Sequence, residues 1–84
     1  MELENTIELM DNADYKNRFK AEYYQLKIRR EKLESMLEKY KAGTLTFSPS
    51  CSYELLFEQV VYMTQYQRIL EERAHIENVN LQEN

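Results

Sequence analysis

The chain has 84 residues and a formal net charge of -4 at neutral pH, with 31% charged residues, one glycine, one proline and one cysteine. This length predicts one small domain, and the composition is typical of a helical protein without a membrane span or a secretory signal. The negative charge disfavours binding to duplex nucleic acid, and Cys51 alone cannot form an internal disulfide, so we expect a protein of the cytoplasm.

The N-terminal residues 1–12 are predicted to form a separate segment with a short helix, because apolar residues near its end are followed by a polar run. In that run Asn12 or Asp14 can serve as an N-cap, since either side chain accepts from the free N–H groups of a first helical turn. We therefore expect a long helix to begin close to residue 14.

This long helix is predicted over residues 14–41. Its apolar positions alternate at spacings of four and three from Phe19 to Tyr40, which indicates one buried stripe, and one member of the series is Arg30. Gly43 tolerates the left-handed conformation that commonly follows a helix, so the helix should end just before it.

A connection over residues 42–51 leads to a second helix predicted over residues 52–77. Ser52 is the expected N-cap, and an acidic residue follows it in the first turn, where the helix dipole favours negative charge. Two long helices joined in this way predict an antiparallel hairpin. The tail, residues 78–84, is expected to be flexible or to dock only weakly.

The buried stripe predicted for the second helix also contains polar residues. Its members are Leu56, Gln59, Met63, Tyr66, Leu70 and Arg73. A buried guanidinium without a partner is costly, so Arg30 and Arg73 must pair with carboxylates, lie at a wet edge or bind an anion. The third alternative would make this a binding protein.

Apolar side chains exceed what one helix-on-helix contact can cover. They flank both predicted stripes, mostly on the second helix, and include Phe57, Tyr62, Ile69 and Ile76. Repeated apolar patches of this kind are commonly buried in closed homo-oligomers. We therefore predict an all-α fold in which an antiparallel helical hairpin with a short N-terminal helix assembles as a homo-oligomeric helical bundle.

Catalysis and metal binding find little support in the sequence. The one histidine, His75, lies among glutamates on a polar flank, and the only feature that could activate Cys51 is the start of a helix. One cysteine and one histidine cannot assemble a zinc site within one chain. We expect no enzyme activity, no metal and no cofactor.

Tyrosine and arginine supply a recognition chemistry instead. The chain has 7 tyrosines, and phenol rings both pack at interfaces and stack on nucleobases. Tyr15 lies at a helix start, where N–H groups favour an anion, and arginine forks bind phosphate oxygens in pairs. Because Tyr15 and Arg30 are roughly 20 Å apart along one helix, they would converge only across two chains.

At these residues the chain resembles a known family, the helical hairpin of small phage immune-evasion proteins that act as anti-CBASS and anti-Thoeris nucleotide sponges. The similarity covers nearly everything from Tyr15 to Glu77. The matching pieces are residues 15–19, Glu22, Tyr23, Leu26, residues 30–33, Met36, Leu37, the connection at 42–45, and the later series Glu58, Gln59, Met63, Tyr66, Ile69, Leu70 and Arg73.

The resemblance implies non-catalytic sequestration of cyclic nucleotide second messengers in the host bacterial cytoplasm. Members of that family assemble as hexamers and hold cyclic dinucleotides between paired chains, and some hold cyclic trinucleotides or a cyclic ADP-ribose isomer. Tyr15 then corresponds to a base-stacking tyrosine, and Arg30, or Arg29 beside it, to a basic phosphate contact. The ligand-binding residues expected are Tyr15, Arg18, Arg29, Arg30, Tyr66 and Arg73.

Two other functions remain open at the level of sequence. One is an interaction protein that blocks a host protein, such as a nuclease or polymerase, through its tyrosine-rich surface, and the other is a structural coiled-coil module. A sponge predicts that the guanidinium groups of Arg30 and Arg73 face a shared solvent-filled pocket. A structural role predicts that they pair with Glu22, Glu34, Glu58 or Glu77.

Overall fold

A computed structural model describes residues 15–81, which form two α-helices and no strand. Helix α1 spans Tyr15–Ala42 and helix α2 spans Tyr53–Glu77, compared with predicted ranges of 14–41 and 52–77. The two helices pack against each other along their length. The prediction of an all-helical hairpin is therefore confirmed.

Local capping residues fix the helix ends. Gly43 follows α1 with a φ of 76°, which is the left-handed conformation predicted for it. Ser52 is the N-cap of α2, as predicted, and its Oγ accepts a hydrogen bond from the Leu55 N–H at 3.2 Å. Asn78 closes α2 with a φ of 58°, a conformation that asparagine tolerates better than most residues.

The buried stripe of α1 follows the predicted series. From Phe19 to Leu37 its members are buried or partly buried, whereas Tyr40 at the end is 36% exposed. Arg30 lies within this stripe and is partly buried. The spacing of four and three therefore identified the face of α1 that meets α2.

The buried stripe of α2 differs from the prediction. Gln59, Tyr66 and Arg73 are exposed, and the helix turns a neighbouring edge toward α1. Val60 and Ala74 lie on that edge, and their burial is more favourable than the burial of an amide or a guanidinium. The members of the true stripe are Tyr53, Leu56, Val60, Met63, Gln67, Leu70 and Ala74.

Residues 79–81 cover the core at the open end of the hairpin. Val79 is 6% exposed and belongs to the same buried cluster as Tyr24, against which Leu81 also packs. The Tyr24 hydroxyl donates a hydrogen bond to the Leu81 carbonyl. The prediction of a weakly docked tail is therefore wrong for residues 79–81, because two apolar side chains gain more by covering the tyrosine rings than by remaining in water.

Some predictions fall outside the described residues. The N-terminal segment 1–12 and the caps Asn12 and Asp14 precede these residues, and residues 82–84 of the tail follow them. Within residues 15–81, neither helix combines the length and the apolar character that a membrane span requires.

Candidate functional site

One face of the hairpin collects polar and aromatic residues at seven-residue spacing, and we call it the polar face. Seven residues are almost two helical turns, so such residues share one side of a helix. Because the helices run antiparallel, the members form three pairs across the hairpin. Two of these pairs are hydrogen-bonded, Tyr15 with Arg73 and Glu22 with Tyr66, and the third, Arg29 and Gln59, lines a common groove.

A groove of about 500 Å³ opens on the polar face between the helices. Its apolar floor is formed by Leu26, Leu33 and Met63, and the Gln25 side chain also lines it. Glu22 and Tyr66 lie at one end, and Arg29 and Gln59 lie toward the other. The helical rise separates the α1 residues of these ends by about 10 Å. The groove therefore presents a carboxylate and a guanidinium above one apolar floor.

Arg29 is the predicted site residue that the structure leaves available to a ligand. Its side chain is exposed, and among residues 15–81 it makes no hydrogen bond or ion pair. A guanidinium with all its donors free can bind two oxygens of one phosphate in parallel. The groove thus contains a guanidinium that the described part of the fold does not use.

Arg30 lies in the seam between the helices instead of in the groove. Its Nε donates to Gln67 Oε1 of the opposite helix at 2.6 Å, and its Nη1 forms an ion pair with Glu34 at 2.8 Å. The side chain is 17% exposed. Arg30 thus makes the pairing with Glu34 that a structural role predicts, and it does not face an open pocket, because a partly buried charge is stabilised by partners from its own chain.

Arg73 is also paired. Its Nε donates to Glu77 Oε2 at 2.9 Å, and its guanidinium carbon lies 5.0 Å from the centre of the Phe19 ring. Its Nη2 donates to the Tyr15 hydroxyl at 3.4 Å, and Tyr15 meets Phe19 edge to face. This pairing with Glu77 is the one that a structural role predicts, whereas the side chain remains 47% exposed and its contact with a ligand stays a prediction. Arg73 ties the start of α1 to the end of α2.

Tyr66 closes one end of the groove. Its hydroxyl donates a hydrogen bond to Glu22 Oε1, and its ring is 42% exposed. This hydrogen bond is the main reason why the pKa of Tyr66 is raised, with burial adding to the effect and the nearby Arg73 opposing it. The hydroxyl is therefore held as a donor toward Glu22 while part of the ring remains accessible.

The other predicted residue, Arg18, is exposed and lies one turn beyond Tyr15 on α1, outside the groove. Sequence reasoning did not assign Glu22 or Gln25 to the site. Glu22 could have been found from the seven-residue spacing of Tyr15, Glu22 and Arg29. A search for apolar stripes does not detect this spacing, because two of the three residues are charged. Four of the six predicted residues, Tyr15, Arg29, Tyr66 and Arg73, thus share the polar face.

A second polar cluster crosses the hairpin beside the seam. The Tyr23 hydroxyl donates to Glu71 Oε2 at 2.6 Å, and Gln67 Nε2 lies 3.5 Å from the Tyr23 oxygen. Burial, and then the hydrogen bond to the Glu71 carboxylate, raise the pKa of Tyr23 to about 12. This cluster joins the two helices, and none of its three residues lines the groove.

Potential catalytic and metal-binding groups are dispersed in the described part of the chain. Among residues 15–81, no three His, Cys, Asp or Glu side chains are grouped so that they could hold a metal ion. His75 and Cys51 are both exposed, and Cys51 is a free thiol.

A comparison with protein families matches residues 13–76, which is well over half of the chain, to the Sequestin family. No curated protein and no solved structure gives a significant match. The family name indicates a sequestering role, which is a binding role, and it fits the phage sponges that the sequence resembles. This chain belongs to the Sequestin family.

Proposed function

We propose that this protein sequesters a cyclic nucleotide second messenger of bacterial antiphage defence, of the CBASS or Thoeris kind, without cleaving it. The observation that carries the proposal is the groove, in which the unpaired Arg29 and the exposed ring of Tyr66 flank an apolar floor. These are the groups that a phosphate and a nucleobase require. Such signals act inside the host cell, so the protein would work in the bacterial cytoplasm.

Each part of a nucleotide has a matching part of the groove. The phosphate meets the guanidinium of Arg29, whose planar fork makes two charge-assisted hydrogen bonds. The base lies over Leu26 and Met63 with its face toward the ring of Tyr66, an arrangement that buries apolar area and allows stacking. Arg29 therefore replaces Arg30 as the phosphate contact.

A second copy of the chain is expected to cover an apolar stripe on α2 beside the groove. Leu55, Tyr62, Ile69 and Ile76 recur every seven residues on the outer side of α2 and are 56%, 62%, 45% and 72% exposed. On α2 the polar face consists of Gln59, Tyr66 and Arg73. Each residue of the stripe lies one helical turn from one of these three, so a second chain bound to the stripe would border the groove. This stripe supports self-association into a homo-oligomer, a hexamer by the resemblance described above.

The stripe is complementary to itself when two α2 helices run antiparallel. Leu55 of one copy then lies opposite Ile76 of the other, and Tyr62 lies opposite Ile69. The same register sets Glu58 opposite Arg73, which places opposite charges beside the apolar contact. An isologous pair of this kind is the commonest closed arrangement of identical chains.

The same stripe supports the second candidate function, in which the tyrosine-rich surface blocks a host protein. Tyr62 is the one tyrosine of the stripe and is 62% exposed, and aromatic residues are enriched at protein interfaces. Self-association would cover this surface, whereas a host-protein blocker would keep it free in the isolated protein. The oligomeric state therefore separates the two functions.

Binding is tested by thermal unfolding with a panel of cyclic dinucleotides, cyclic trinucleotides and cyclic ADP-ribose isomers. A ligand at one hundred times its Kd should raise the free energy of unfolding by about 2.7 kcal/mol. Arg29→Ala should weaken binding at least about tenfold, because one charge-assisted contact is lost. Arg68→Ala is the matched control, since Arg68 is exposed and lies outside the groove. No stabilisation by any member of the panel, or equal loss in both variants, contradicts the proposal.

Self-association is tested by native mass measurement and light scattering. Ile69→Glu places a charge in the centre of the stripe and should give monomers that retain their helical circular dichroism. Val61→Glu is the control, because Val61 is 38% exposed on α2 but lies off the stripe. A wild-type protein that is monomeric at all concentrations would favour the host-protein blocker.

A further inference from the structure

Glu22 is unexpected in a groove that is proposed to hold an anion. Its carboxylate lies at the end opposite to Arg29 and would repel a phosphate placed beside it. A negative group in such a position is useful when the ligand has a hydrogen-bond donor at the corresponding end. Glu22 therefore indicates which chemical group the ligand has at the end away from its phosphate.

The carboxylate is held in one orientation and keeps free acceptor capacity. Glu22 Oε1 accepts the hydrogen bond from the Tyr66 hydroxyl. Within residues 15–81, Oε2 has no hydrogen-bond partner. An ionised carboxylate accepts hydrogen bonds and donates none, so the free oxygen can meet only an N–H or O–H group of a ligand.

We infer that Glu22, positioned by Tyr66, selects ligands whose base has an exocyclic amine at its edge, as in adenine or guanine, over bases that present a carbonyl there. This inference rests on the proposed function and names the base chemistry of the same groove. With the phosphate on Arg29 and the base over Leu26 and Met63, the base edge reaches the Glu22 end. The two charged ends thus fix the direction in which the ligand lies.

The selection has two physical parts. An amine gains a charge-assisted hydrogen bond to the free oxygen of Glu22. A carbonyl in the same place brings two hydrogen-bond acceptors together, which repel each other. It also displaces the water that donated a hydrogen bond to the carboxylate and offers no donor in its place. Both parts favour the amine.

Hypoxanthine is the matched probe, because it has a carbonyl where adenine has an amine and is guanine without its amine. Calorimetric titration of the wild-type protein should give roughly tenfold tighter binding of cyclic di-AMP, cyclic di-GMP or both than of cyclic di-IMP. The same comparison applies to an ADP-ribose ring isomer with a free adenine amine and its hypoxanthine counterpart. These comparisons need no variant, so the folding of a mutant cannot affect them.

The residue itself is tested with Glu22→Gln, whose amide can donate to a carbonyl as well as accept from an amine. The preference for the amine should fall to about twofold or less in this variant. Glu38→Gln removes the same charge from an exposed position of α1 outside the groove, and it should retain the full preference.

The outcomes separate this inference from the proposed function. Equal affinity of the wild-type protein for amine and carbonyl ligands would overturn the role of Glu22 and leave sequestration intact. A preference that survives Glu22→Gln would assign the selection to another residue and would also overturn it. If no nucleotide of either series binds, the proposed function fails and the inference fails with it.

Discussion

Replacement of Arg30 tests whether this arginine holds the hairpin together or binds a ligand. In the structure its guanidinium bonds to Gln67 across the seam and to Glu34 one turn away on α1. A hydrogen bond to a charged group contributes about 1.5–3 kcal/mol, and a helical ion pair contributes about 0.3–0.5 kcal/mol. Because the side chain is 17% exposed, little of this is lost to solvent screening. We expect Arg30→Ala to lower the free energy of unfolding by about 2–3 kcal/mol.

Arg30→Met gives the matched comparison. Methionine keeps the length of the aliphatic stem and fills the seam between Leu26 and Leu33 without a charge. Replacing a buried paired charge by an apolar residue of similar volume is often neutral or stabilising, although Gln67 Oε1 loses the donor Arg30 here. We expect a loss below about 1 kcal/mol, so the two substitutions should differ clearly.

The measurement is urea unfolding followed by far-ultraviolet circular dichroism, at several protein concentrations because association adds to apparent stability. Nucleotide titration of the same variants should show that Arg30→Met retains ligand binding. If Arg30→Ala leaves the free energy of unfolding unchanged but removes binding, Arg30 is a ligand contact and not a link between the helices.

Three further predictions concern stability. The pKa of Tyr23 is raised from 10.0 to about 12, so between these pH values the folded chain keeps a proton that the unfolded chain loses. The free energy of unfolding should therefore fall as pH rises from 10 to 12. Tyr23→Phe should reduce this fall in urea titrations. Val79→Ala should lower the free energy of unfolding by about 1–2 kcal/mol in the same assay. Val61→Ala, at an exposed position, should change it by less than about 0.5 kcal/mol. Equal losses would contradict the docking of residues 79–81. Gly43→Ala should cost about 1 kcal/mol, because an added Cβ meets no atom within 4 Å and only the left-handed backbone opposes it; an unchanged melting temperature would contradict this.

Much of the fold could be predicted from the sequence, since apolar spacing, Ser52 and Gly43 are local signals. The α1 stripe was predicted correctly because its apolar residues define one face. On α2, apolar residues occupy several faces, so the sequence allowed two overlapping stripes. Only the packed structure shows that Val60 and Ala74 are buried against α1, whereas Gln59 and Arg73 remain exposed.

The candidate site was harder to predict for a related reason. Arg29 and Arg30 are neighbours in sequence, but they point about 100° apart around a helix, so one enters the seam and the other the groove. Which of them is paired depends on Gln67 and Glu34, and Gln67 lies on the other helix. Sequence alone predicted a phosphate contact at this pair but not which member would make it.

The groove places three polar residues that a ligand would touch outside the core that holds the helices together. Gln25, Arg29 and Gln59 line it, yet none of them belongs to the buried core. Substitutions at these positions should therefore alter cargo preference at small cost in folding. In a hairpin of this kind, substitutions in the groove would change which small molecule is bound while the fold stays the same, so ligand specificity would evolve readily.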